Sequence, residues 1–325
     1  MKATTHGIHH VTAIASDPQR NIDFYTRILG LRLVKLTVNY DDPSSYHLYY
    51  GDGAGNPGTL LTFFAWRGAG RGRRGTGQVG TTAFAIRRAS LDYWMERFLQ
   101  HGVHLVDSSP GPIERFDERA ISFSDPDGLQ LELVAHPGAE DRPYWADGPV
   151  PAEHAIHGFH TVTLFEEGYD RTDQLLTGTL GFRPLQQGGS LYRYTTADGG
   201  PGSLVDIRVV PSFWRGVVAV GTVHHVAWRV PDDPTQRALR QALDGLGYNV
   251  TPVIDRTYFH SVYFREPGGI LFEIATDPPG FTIDEPLVEL GTHLKLPPWL
   301  EPQRSQIEPI LPLLRLPTSG SERRA

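Results

Sequence analysis

Asp125-Pro-Asp-Gly-Leu-Gln-Leu-Glu132 and Glu266-Pro-Gly-Gly-Ile-Leu-Phe-Glu273 lie over each other without a gap. Each is an acid, a proline, a glycine-bearing turn and an apolar strand that carries a glutamate. Upstream stand matching strands, Thr82-Ala-Phe-Ala-Ile-Arg87 and His224-His-Val-Ala-Trp-Arg229, each followed by a helical stretch and a glycine-led strand (His101-Gly-Val-His-Leu-Val106; Leu246-Gly-Tyr-Asn-Val250). The other two quarters also match. His9-His-Val-Thr-Ala-Ile14 leads to Phe24-Tyr-Thr-Arg-Ile-Leu-Gly-Leu-Arg-Leu33, and Phe159-His-Thr-Val-Thr-Leu164 leads to Leu175-Leu-Thr-Gly-Thr-Leu-Gly-Phe-Arg183. In both, a short strand precedes a helix that stops at glycine. Self-similarity of this kind sets the architecture. The fold class is α+β: four strand–helix–three-strand (βαβββ) modules near 6–66, 79–135, 156–210 and 221–276, in two tandem domains, 1–137 and 156–296. The Pro- and Gly-bearing stretch 138–155 is the linker. Residues 297–325 form a tail expected to wrap the body and fray in its last residues, SGSERRA.

Composition narrows the partners. Hydrophobic residues make up 39% and charged residues 21%, enough apolar surface for packed cores. A net charge of −7 disfavours nucleic acid or an anionic membrane surface as partner. No run of about 18 apolar residues occurs and no apolar leader opens the chain, so a soluble cytoplasmic protein is expected. The chain has no cysteine, which leaves His, Asp and Glu as metal ligands. Homo-oligomerisation is compatible with so many strand edges, but no residue demonstrates it.

In the register of the repeats, Ala83 stands where His225 stands and Glu132 where Glu273 stands, so only the last module keeps both an imidazole and a carboxylate. Two imidazoles and one carboxylate form the facial set that holds Fe(II) with positions open for substrate and O2. His225 and Glu273 supply two; Glu132 reads as a relic that hydrogen-bonds its neighbours. Strand alternation lets only one of His9 and His10, and one of His224 and His225, face a cavity. The third ligand is His10 or His160, read as equivalent in their repeats. Pairing of the first module with the last favours His10, and pairing within the second domain favours His160.

The segments GIHHVT (7–12), YHLYYGD and GNPGTLLTFF (within 46–64), GFH (158–160), VHHVAW (223–228), DRTYFHSVYFREPGG (255–269) and LFEIATDPPGF (271–281) carry a family resemblance along nearly the whole chain. The chain resembles the ring-cleaving dioxygenases of the glyoxalase/bleomycin-resistance/extradiol (vicinal oxygen chelate) superfamily, in particular the para-hydroquinone 1,2-dioxygenase group. The resemblance implies His10, His225 and Glu273 as ligands of Fe(II), with Mn, Ni or Zn as alternative ions. It implies His9, Thr12, His224, Arg256 and Tyr263 around the metal, and an aromatic diol, hydroquinone or catechol, with O2 as substrates. In that chemistry His224 or His9 serves as acid or base, Arg256 stabilises oxyanion charge and Tyr263 donates a hydrogen bond; for Arg256 the competing role is a plain ion pair. Alternatives are a glyoxalase-like metal-dependent isomerase or lyase, and a non-catalytic binder of aromatic compounds. The glycine- and arginine-rich run 68–77 lacks the Gly-Lys-Ser/Thr ending of a phosphate loop and reads as a flexible connection. Trp66, Trp214, Trp228 and Trp299 read as core and interface residues, one or two of them available to an aromatic pocket.

Overall fold

The computed structural model describes residues 3–106 and 112–317. The first module is β1 (Ile8–Ala15), a helix Pro18–Ile22 that runs on as a π-helical turn Asp23–Ile28, then β2 (Arg32–Asn39), β3 (Asp42–Gly51) and β4 (Leu60–Ala65). The second holds β5 (Gln78–Ile86), helix Leu91–Gln100, the short β6 (His104–Leu105) and β7 (Ile113–Arg115), β8 (Glu118–Ser124) and β9 (Gln130–Ala135). The third repeats the first, π turn included: β10 (Phe159–Glu166), helix Asp170–Leu175 with Leu176–Leu180, β11 (Arg183–Gly188), β12 (Leu191–Thr195) and β13 (Leu204–Val209). The fourth is β14 (Val223–Val230), helix Asp233–Gly245, β15 (Ile254–Asp255), β16 (Phe259–Arg265) and β17 (Leu271–Pro279). The βαβββ repeat is therefore present four times, with one strand of the second module split in two. The π turns of the first and third modules are followed by Gly30 (φ 71°) and Gly181 (φ 85°), left-handed positions that favour glycine.

The modules combine in an order that sequence proximity does not suggest. One sheet runs β15-β16-β17-β14-β1-β4-β3-β2 and joins the first module to the fourth; the other runs β11-β12-β13-β10-β5-β9-β8-β6 and joins the second to the third. β1 lies antiparallel to β14, and β10 antiparallel to β5. The sheet faces turned toward the helices form the main core, where Tyr25, Tyr50 and Phe63 of the first module are fully buried. A smaller cluster, including Val34, Tyr49, Leu60, Tyr258, Phe259 and Phe281, fills the inner side of the first sheet.

The pairing registers correct the alignment of the repeats. Ala227 pairs with Glu273 in one sheet and Ala83 with Glu132 in the other. Likewise Thr12 pairs with His225, and Thr163 with Thr81. The counterpart of His225 is thus Thr81, not Ala83. His10 pairs with Ala227 and Thr161 with Ala83, so the counterpart of His10 is Thr161, and His160 corresponds to His9. Both ladders carry the same pair of β-bulges, at His9 and His224 in the first sheet and at His160 and Gly80 in the second, so the structural match is gapless too and lies two residues from the sequence match along β5 and β14 and one along β1 and β10.

Beyond β17 the chain returns to the first module. Lys35, wholly buried, donates to Asp284 Oδ1 at 2.6 Å and to Glu285, and Leu36 bridges to Leu294, which covers the β2 edge. Further on, Tyr46 Oη donates to Pro312 O. The tail thus wraps the first module; the expected fraying at 319–325 lies outside the described residues. The arginine-rich run is tied down, with Gly72, Arg73 and Thr76 donating backbone hydrogen bonds to Val220, Val217 and Trp214. Trp228 is fully buried, whereas Trp214 is 73% exposed and Trp299 half-exposed, so neither of the latter is a core residue.

Candidate metal centre

β1, β14 and β17 lie side by side, and each turns one donor toward a common point. His10 Nε2 is 3.2 Å from His225 Nε2, and Glu273 Oε2 is 3.2 Å from the first and 3.0 Å from the second. Three ligands at right angles, each about 2.1 Å from one ion, stand about 3.0 Å apart. All three residues are buried, and no group meets hydrogen-bond geometry at Glu273 Oε2. A buried carboxylate oxygen without a partner costs free energy unless a cation completes it. Burial alone would raise the Glu273 carboxyl, but the His10 and His225 imidazoles outweigh it and hold the group well below the usual carboxylate range. Its other oxygen accepts from Ser261 Oγ.

The neighbouring histidines settle the ring orientation. His9 Nδ1 is 2.9 Å from His10 Nδ1, and His224 Nδ1 is 2.8 Å from His225 Nδ1. One proton fits in each contact. Placed on His10 and His225, it leaves both Nε2 lone pairs free for a cation, the arrangement that orients and strengthens imidazole ligands. Burial lowers the His225 imidazole and, more strongly, that of His9; His224, buried and beside His225, falls to about 3. All three are thus shifted toward the neutral form.

A cavity of about 300 Å³ opens in front of the three donors. His10, His224 and His225 line it, with Phe64, Trp66 and Leu271 as apolar wall and Arg256 and Tyr263 as polar wall. The alternation rule holds for the first histidine pair, since His10 faces the cavity and His9 does not. It does not hold for the second, where His224, at a bulge, and His225 both line the cavity. Arg256 Nε donates to Tyr263 Oη at 3.3 Å, which leaves the phenol proton for the cavity, and its other nitrogens lie 3.3 Å from Asp41 Oδ2 on the turn between β2 and β3. The ion-pair role and the site role of Arg256 coexist. Thr12 stands behind the wall and bonds Thr62 at 2.7 Å. Missed in the sequence were His47 and Tyr49, both lining the cavity. Their spacing by two within YHLYYGD places them on one strand face and was the available signal.

Among the described residues a second His–His–carboxylate group, Glu118, His136 and His160, falls in the other sheet. His136 Nδ1 accepts from Gly138 N–H, so the neutral ring carries its proton on Nε2 and offers no lone pair to a cation. Glu118 is already held by His160 Nε2 at 2.8 Å and Arg193 Nη1 at 2.6 Å; against the effect of burial, these lower its carboxyl to about 2. At the positions matching His10, His225 and Glu273 stand Thr161, Thr81 and Glu132. Arg115, seven residues before Ser122 as Arg256 is before Tyr263, turns its guanidinium onto Glu132. In that sheet an arginine takes the place of a cation.

The Glyoxalase/Bleomycin resistance protein/Dioxygenase superfamily model matches residues 7–133 and 158–274, one match per sequence half. The chain is 46% identical to "Putative ring-cleaving dioxygenase MhqO" of Bacillus subtilis, over 95% of this chain and 96% of that protein. It is 35% identical to "Chlorohydroquinone/hydroquinone 1,2-dioxygenase" of Sphingobium indicum, over 93% and 94%. A crystal structure of a "putative dioxygenase" from Bacillus subtilis superposes with a TM-score of 0.91 at 45% identity, covering 98% of this chain and 99% of that one. Glyoxalase I from Zea mays shares the fold at 18% identity, with a TM-score of 0.63 over 83% of this chain and 92% of that one. Full-length likeness to proteins named as ring-cleaving dioxygenases supports an oxygenase enzyme. No helix among the described residues is long and apolar enough to cross a membrane. With its four βαβββ modules in two curled sheets and the family pattern matched in both halves, the chain belongs to the Glyoxalase/Bleomycin resistance protein/Dioxygenase superfamily.

Proposed function

We propose that the protein is an Fe(II)-dependent dioxygenase that opens the ring of a hydroquinone-type diol, with His10, His225 and Glu273 holding the metal. The observation that carries this reading is the 3.0–3.2 Å triangle of two imidazole nitrogens and an unpartnered carboxylate oxygen at the floor of a cavity with aromatic walls. Mn, Ni or Zn would fit the same donors; O2 chemistry selects iron. Bound there, ferrous iron supplies the path by which electrons pass from the diol to dioxygen. The protein's share is orientation. His9 acts on His10 and not on the substrate, since it does not line the cavity. With Nδ1 accepting from His225, His224 presents Nε2–H to a substrate oxygen. Tyr263, fixed by Arg256, donates its phenol proton beside it, and the guanidinium stabilises oxyanion charge that develops there. Phe64 and Trp66 offer faces for the ring.

The test is oxygen uptake by anaerobically purified, Fe(II)-loaded protein over a panel of substituted hydroquinones and catechols. Uptake with a hydroquinone is expected. Silence across the panel with iron demonstrably bound would reject the dioxygenase reading in favour of a metal-dependent isomerase or lyase.

A further inference from the structure

A second cavity, of about 270 Å³, lies where three modules meet, and none of the three metal-site donors lines it. Its walls are the arginine-rich run after β4, the start of β5, the turn before β9 and the approach to β14. The chain carries no acid between Asp52 and Asp92, whereas Arg67, Arg71, Arg73 and Arg74 follow closely on one another. Arg71 and Arg74 both line the cavity, and among the described residues neither guanidinium has a hydrogen-bond or ion-pair partner. Arg74 is steadied instead by the ring of Phe165, 4.6 Å from its Cζ, a contact that holds a cation without neutralising it. The acid in the wall, Asp127, is already satisfied. Its Oδ2 accepts from Ser16 N–H at 2.8 Å, and its Oδ1 from Ser16 Oγ at 2.7 Å and Arg20 Nη2 at 2.6 Å. Gln78, also in the wall, is buried; its Oε1 accepts from Gly75 N–H at 3.2 Å, and its Nε2 has no acceptor. A buried amide N–H without an acceptor costs free energy that an incoming oxygen recovers.

The other half of the molecule closes the equivalent corner with its own side chain. The two linking runs pair symmetrically: Gly72 N–H donates to Val220 O as Gly216 N–H does to Thr76 O, and Val220 N–H to Gly70 O as Thr76 N–H does to Trp214 O. Arg71 therefore corresponds to Arg215, Arg74 to Val218 and Gln78 to Thr222. Arg215 Nη1 donates to Gly268 O at 2.8 Å, on the turn that matches the one before β9. Arg71 makes no such bond, and Thr222 Oγ1, unlike the Gln78 amide, is satisfied by Ala219 O at 2.8 Å. Two unpaired guanidiniums and a free amide donor thus belong to one half only. Two fixed positive charges suit a dianion with several acceptor oxygens better than a monocarboxylate, which a single guanidinium satisfies with two parallel hydrogen bonds. We infer that this cavity binds a phosphate group, free or as a phosphomonoester, with Arg71 and Arg74 as its charge partners and Gln78 as a neutral donor. Bound there, the anion ties the arginine-rich run to the approach to β14, whose second and third residues are His224 and His225.

The test is calorimetric titration of the full chain with inorganic phosphate and, separately, with glycerol phosphate, at an ionic strength held constant with chloride. Wild type, Arg71→Gln and Arg74→Gln are compared. Both arginines are exposed and unbonded, so the variants should melt with wild type when phosphate is absent. One saturable site per chain is expected in wild type, with affinity about tenfold weaker or worse in each variant, the scale of one charge-assisted hydrogen bond. Saturating phosphate should raise the wild-type Tm and leave the variants behind. Tighter binding of glycerol phosphate would assign the site to an organic phosphate, and the reverse order to the free ion. The absence of saturable binding in wild type would overturn the proposal. So would wild-type affinity in both variants, which would place the anion elsewhere, for instance at Arg256 in the first cavity. Neither outcome touches the dioxygenase reading, since the titration requires no iron and no turnover.

Discussion

Residue scale shows the chemistry most sharply where two acids are forced together. Glu166, at the end of β10 in one sheet, and Glu266, at the turn before β17 in the other, both lie within 2.8 Å of Thr172 Oγ1. A hydroxyl has one proton to donate, so one of the two carboxyls must carry a proton and donate in return. Glu266 accepts from Gly268 N–H and Ile270 N–H and is the ionised member, which explains the acid at the head of that turn. Burial, with repulsion from Glu266, raises Glu166 to about 8. A carboxyl raised on folding stabilises the fold below its unfolded value of 4.5, and the contribution is lost as pH rises through about 8. Urea midpoints should therefore fall across that window in the wild type. They should stay flatter in Glu166→Gln, which keeps a donor without the ionisation.

At the scale of elements, the two sheets are one design with two outcomes. β7, β8 and β9 repeat β15, β16 and β17, but the guanidinium of Arg115 sits on Glu132, with both side chains largely buried. Arg115→Met should leave a buried, unpaired carboxylate and cost about 3–5 kcal/mol of stability, measured by chemical denaturation, while iron content stays unchanged because no donor of the other sheet is touched. The repeats made the elements legible in the sequence: the acid–Pro–Gly turns, the glycines ending the first and third helices, and the linked pair His225 and Glu273. What stayed illegible was the bulge. Alternation alone would have turned His224 away from the cavity, and matching by residue type, two residues out along β5 and β14 and one along β1 and β10, misplaced Thr81 and Thr161. Neither bulge residue of the first sheet, His9 or His224, is a glycine, the residue type that often marks a bulge. His47 and Tyr49 were within reach of strand periodicity, but no second histidine or carboxylate beside them announced a site.

For the whole molecule, the decisive fact is which modules share a sheet. The centre draws His10 from the first module and His225 and Glu273 from the last, so it exists only when the two ends of the fold are paired. His160, in the other sheet, is engaged with Glu118 and points into the ion network that replaces a metal there. The return of the chain over β2, anchored at Lys35, braces the same sheet from outside. The most direct measurement is the iron content of anaerobically reconstituted protein after removal of loose metal, for wild type and the single variants His10→Ala, His225→Ala, Glu273→Ala and His160→Ala. Close to one iron per chain in wild type and His160→Ala, with little in the other three, is the expected result. Wild-type iron in all three ligand variants, or its loss in His160→Ala alone, would contradict the assignment.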